Sequence, residues 1–80
     1  MRTIEVLGSG CPNCRRLEAN AREAVTIAGV EAEVRHVTDP GEIVAHGVMS
    51  TPGLVIDGKV VSAGRIPNAA DIARWLSEPA

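Results

Sequence analysis

The sequence predicts an α/β fold: one domain over residues 1–80, built as a mixed four-stranded sheet with three helices in the order β-α-β-α-β-β-α. Three observations predict it. Short β-branched runs alternate with stretches of helical periodicity. Asp57-Gly58 separates two such runs as a two-residue hairpin turn would. Helix starts and stops are marked by cap residues, prolines and glycines. A strand, a crossover helix and a second strand form a right-handed parallel unit, to which the hairpin adds an antiparallel pair. Helices then cover both faces of the sheet. A chain of 80 residues has room for one hydrophobic core.

Taken in order, "TIEVL" (3–7) is dense in β-branched and apolar residues and reads as the first strand, broken by Gly8, Ser9 and Gly10. Pro12 suits a first helical turn, where its missing N–H has no partner to lose. The helix runs over 12–28 to a stop at Gly29. "AEVRHV" (32–37) is the second strand. Asp39, Pro40 and Glu42 resemble a capping box at the start of a short helix that Gly47 closes. "GLVIDGKVVS" (53–62) is the hairpin, turning at Asp57-Gly58. Asn68 caps "AADIARWL" (69–76), which puts Ile72, Trp75 and Leu76 on one face, and Pro79 ends it.

Composition narrows the function. Apolar residues make up 45% of the chain, but Trp75 is its one aromatic side chain, so the core is aliphatic. Binding of nucleic acid by base stacking needs aromatic platforms, and a net charge of −2 gives no basic field for phosphates. No apolar run approaches a membrane span or the core of a signal peptide, so a cytoplasmic, reducing location is the expectation. Two cysteines in a reducing compartment are poor candidates for a permanent staple.

Those cysteines are Cys11 and Cys14, in "GSGCPNC". With Pro12 as the first helical residue, Cys11 occupies the cap position and Cys14 lies within the first turn. Counting by three or four from Cys14 reaches Leu17, Ala21, Ala24 or Val25, and Ala28, the apolar stripe. Cys14 therefore faces the core and Cys11 the surface. The positive end of the helix favours a thiolate there. Unequal exposure suits a dithiol couple in which Cys11 attacks a disulfide and Cys14 resolves the mixed disulfide.

CxxC at the start of the first helix, followed by "STPG" ahead of "LVIDGKVV" and by "GRIPN", resembles the small redox-active members of the thioredoxin–glutaredoxin superfamily found in archaea and bacteria, over the whole chain. The resemblance implies a minimal thioredoxin-like fold. It implies a cis peptide at Pro52, a backbone at Thr51 that pairs with a bound substrate segment, and a substrate surface completed by Gly10, Pro12 and Asn13. It implies thiol–disulfide oxidoreductase activity without a bound cofactor, a disulfide-containing protein as substrate and an upstream thiol reductase as partner. Glu5 is the positional match for the buried acid that assists proton transfer in thioredoxins; a strand-end carboxylate is the plainer reading. Gly64 is either a point of close backbone approach beside the proline loop or a strand-ending turn. The chain departs from the family where Gly10 replaces a Trp and where Pro12-Asn13 is neither Gly-Pro nor Pro-Tyr.

Other readings of the cysteines are weaker. A structural zinc site calls for four ligands, and the ten-residue spacing of His36 and His46 does not supply the missing pair. Copper chaperones also place CxxC between a first strand and first helix, but their order ends on a strand. A non-catalytic redox switch, or a module that binds a soft metal, is the alternative function.

Overall fold

The computed structural model describes residues 2–8, 12–48 and 50–77. Its elements are β1 (Arg2–Leu7), α1 (Pro12–Ala28), β2 (Ala32–Val37), α2 (Pro40–Ala45), β3 (Gly53–Ile56), β4 (Lys59–Ala63) and α3 (Ala69–Ser77). The order is β-α-β-α-β-β-α, as the sequence predicts. The sheet runs β2-β1-β3-β4. β1 pairs with β2 in parallel, Ile4 opposite Val34, and with β3 antiparallel, Glu5 opposite Val55.

Side-chain alternation along β1 divides the molecule into two layers. Ile4 and Val6 point to one face and join Leu17, Ala21 and Ala24 of α1, Leu54 and Ile56 of β3, and Ile72, Ala73 and Leu76 of α3. Trp75, Val25 and Ala28 pack around that core half-buried. Leu7 points the other way, to a smaller cluster with Val55, Ile43 of α2 and Val48. β3 is sandwiched between the layers, and all four of its residues are buried, which is why it reads as an unbroken apolar run.

The local signals act through identifiable bonds. Asn68 Oδ1 accepts the Asp71 N–H at 2.8 Å and caps α3. Asp39 caps α2 through the Gly41 N–H at 3.0 Å; the capping-box expectation is thus corrected, since the bond goes to the second helical residue and not to Glu42. Asp57 and Gly58 have φ of 51° and 83°, both positive as a type I′ turn requires. Asp57 also reaches out of its hairpin, accepting the Thr3 N–H at 2.9 Å and the Arg2 Nε–H at 2.8 Å. Arg2 donates in addition to the Leu76 carbonyl, so the start of β1, the hairpin tip and the end of α3 are joined at one pole. The hairpin carries one irregularity: Leu54 faces Ser62 while Val55 faces Val60, leaving Val61 as an extra residue in β4. Pro79, read as the end of α3, lies outside the described residues.

Candidate functional site

The opposite pole holds the cysteine motif. Ser9, Gly10 and Cys11 lie outside the described residues; Pro12, Asn13 and Cys14 open α1. Cys14 is wholly buried and begins the stripe continued by Leu17, Ala21 and Ala24, while Pro12, Asn13, Arg15 and Arg16 are exposed. The inward position of Cys14 follows from helical spacing alone.

What lies beneath Cys14 does not. Gly8, just past β1, lies under its sulfur: a Cβ on Gly8 would come 2.2 Å from Cys14 Sγ and 3.8 Å from Thr51 Cβ. Three parts of the chain thus meet at one point: the end of β1, the first turn of α1 and the loop before β3. The sequence marks Gly8 only as a strand breaker. Its position where the strand meets the cysteine motif is the one signal of this role.

In that loop the Thr51–Pro52 peptide is cis, Thr51 is exposed and Pro52 is buried. The loop is tied from both sides. The Gly64 N–H donates to the Pro52 carbonyl at 2.9 Å, binding the loop to the turn after β4. Gly64 has φ +71° and a Cβ there would come 2.9 Å from Ser50 Cβ, so both the conformation and the close approach call for glycine. Both readings of Gly64 therefore describe the same turn. Next along it, Pro67 accepts a hydrogen bond from the Asn20 side chain of α1 at 3.1 Å.

Glu5 is not brought to the cysteine. It alternates with Ile4 and Val6 and so lies on the face of Leu7 and α2, opposite the α1 face. Its carboxylate is partly exposed and 3.5 Å from His46 Nε2 at the C-cap of α2. That geometry fits the plainer reading of Glu5 as a partly exposed strand carboxylate. Glu5 instead links β1 to the segment that runs into the proline loop, a contact between residues too distant in sequence to be foreseen. His36 has a separate partner, Glu18 of α1, at 3.7 Å. Among the described residues no three His, Cys, Asp or Glu side chains converge as a metal-binding set, and no helix is long and apolar enough to cross a membrane.

The electrostatics of the site are one-sided. The first turn of α1 carries no acidic residue, and Arg15 and Arg16 follow Cys14 directly. The unpartnered N–H groups of a helix start favour negative charge.

Comparison with known proteins identifies the family. A family model described as a thioredoxin domain matches residues 2–77. A thioredoxin of Methanothermobacter thermautotrophicus (strain Delta H) is 39% identical over 77 residues, covering 96% of this chain and 100% of that protein. A thioredoxin of Methanocaldococcus jannaschii is 40% identical over 76 residues, covering 95% of this chain and 87% of the other.

Proposed function

We propose, because the chain belongs to the thioredoxin family, that it catalyses thiol–disulfide exchange with protein disulfides through Cys11 and Cys14. The observation that carries this reading is the buried sulfur of Cys14 in the first turn of α1, packed on Gly8 beside Thr51.

Cys11, one residue ahead of α1, is the attacking group. Its thiolate displaces one sulfur of the substrate disulfide, forming a Cys11–substrate bond and releasing a substrate thiolate that takes up a proton. Cys14, deprotonated in turn, attacks the Cys11 sulfur. The Cys11–Cys14 bond forms, the second substrate thiolate leaves, and two electrons have passed to the substrate. An external dithiol, in the cell a thiol reductase, restores the reduced pair. Burial of Cys14 supports the division of labour: a sulfur with no exposed surface is poorly placed to meet a protein disulfide but is well placed to resolve one from within. Pro12 and Asn13, with the exposed Thr51 beside Pro52, form the surface that receives the extended substrate segment. A pair of this kind is suited to a reducing compartment such as the cytoplasm.

The test is a Cys14→Ser variant offered a disulfide-bonded protein. A mixed disulfide that accumulates, is released by dithiothreitol and maps to Cys11 supports the mechanism. Trapping through Cys14 in the Cys11→Ser variant but not through Cys11 reverses the roles, and absence of both adducts overturns the reading.

A further inference from the structure

The chain carries ten acidic and eight basic residues, yet exposed arginines gather at its sulfur-bearing end. Arg2, Arg22, Arg35 and Arg74 each lie in an ion pair. Of the four basic residues that form none among the described residues, Arg15, Arg16 and Arg65 are at the Cys14–Pro52 pole, and all three are exposed. Two chains of bonds fix where they stand. Arg65 follows Gly64, whose N–H is bonded to the Pro52 carbonyl. Arg16 lies one helical turn before Asn20, whose side chain holds Pro67 in the same turn as Arg65. Arg16 and Arg65 therefore border the strip between the proline loop and the start of α1. Arg15 precedes Glu18 by three residues and so occupies the other shoulder of the helix, toward His36 and β2. The acids nearest these arginines have other partners: Glu18, one turn along α1 from Arg15, is engaged with Arg22 and His36, and Asp71, which lines one groove with Arg65, pairs with Arg74. Asp39 and Glu42 belong to the start of α2 on the opposite face of the sheet, where Asp39 is engaged as the cap.

We infer that Arg15, Arg16 and Arg65 form a positive rim that selects disulfide-bearing polypeptides with acidic residues beside the reactive cysteine. The inference rests on the thiol-exchange reading and names the substrate class for it. A rim of unpaired cations raises the encounter rate with an acidic segment and lowers it with a basic one, although the molecule as a whole is negative. The preference is local and weakens as salt screens it.

The experiment uses two disulfide-bonded peptides of matched length, one with Asp and Glu beside its cysteines and one with Lys. The protein reduces each with dithiothreitol as the dithiol, and each rate is divided by the rate with dithiothreitol alone. At low ionic strength the acidic peptide is expected to react roughly tenfold faster. The ratio is expected to fall toward one at about 1 M salt, where the screening length is roughly 3 Å. An R16A/R65A double variant, checked for folding by circular dichroism, brings the low-salt ratio near one, whereas Lys59→Ala at the hairpin end of β4 leaves it unchanged. Equal rates for the wild-type protein, a preference for the basic peptide, or a ratio insensitive to salt overturns the inference, and the wild-type measurements need no variant. Wild-type protein that accelerates the reduction of neither peptide overturns the thiol-exchange reading itself, and this inference with it.

Discussion

At the scale of single residues, Gly8 and Asp57 carry more than their local roles. Gly8 is not in the left-handed region, so the cost of a side chain there comes from contact alone. A methyl group 2.2 Å from Cys14 Sγ must displace that sulfur, and Cys14 has no exposed surface to move into. Gly8→Ala is expected to cost about 1–3 kcal/mol, as overpacking of a filled core does. For a domain of this size each kcal/mol lowers the melting temperature by about 4–8 °C, which thermal unfolding of the reduced protein checks; an unchanged melting point would show that the sulfur has room to yield. Asp57 is held below its ordinary carboxylate range first by the Thr3 backbone N–H and then by the Arg2 side chain. Its folded-state pKa is thus lower than its unfolded one. The stabilisation is fully present above the unfolded value of 3.8 and is lost as pH falls through the lower folded value. Urea unfolding at a series of acid pH values is expected to show that loss, and Asp57→Asn, which keeps a residue tolerant of positive φ, is expected to flatten it. Equal acid slopes for the two proteins would remove Asp57 from the account.

At the scale of elements, α1 is the platform of the site. Its buried stripe holds Cys14 and Leu17 one turn apart. Leu17→Ala is expected to cost about 2–5 kcal/mol, a large share of the roughly 4–12 kcal/mol that a chain of this length holds in total. Val44, 67% exposed on α2, is the contrast: Val44→Ala is expected to change stability by less than about 0.5 kcal/mol. Urea midpoints of the two variants test both numbers. These elements were legible in the sequence because their determinants are local. The α1 stripe is a matter of spacing, the Asn68 cap reaches only to Asp71, and the Asp57-Gly58 turn needs two positive φ values that those residues tolerate. What the sequence did not reveal depends on partners set by the fold. The bulge at Val61 exists only once β4 pairs with β3. The tightness over Gly8 is set by how closely α1 approaches the end of β1. The Glu5–His46 contact is created by the strand alternation that turns Glu5 away from the cysteine face.

At the scale of the whole molecule, the two faces of the sheet are covered unequally. One carries α1 and α3 with seven buried side chains between them, Cys14, Leu17, Ala21 and Ala24 of α1 and Ile72, Ala73 and Leu76 of α3. The other has the six residues of α2, of which Ile43 alone is buried. Local opening follows buried apolar contact, so hydrogen exchange is expected to be slowest in β1, β3 and α1 and markedly faster at the amides of α2. Protection in α2 equal to that in α1 would contradict the two-layer account. The two sides of the Cys14–Pro52 pole therefore rest on unequal foundations: the sulfur on a helix rooted along its length, and the chain ahead of Thr51 on a short helix pinned by one side chain.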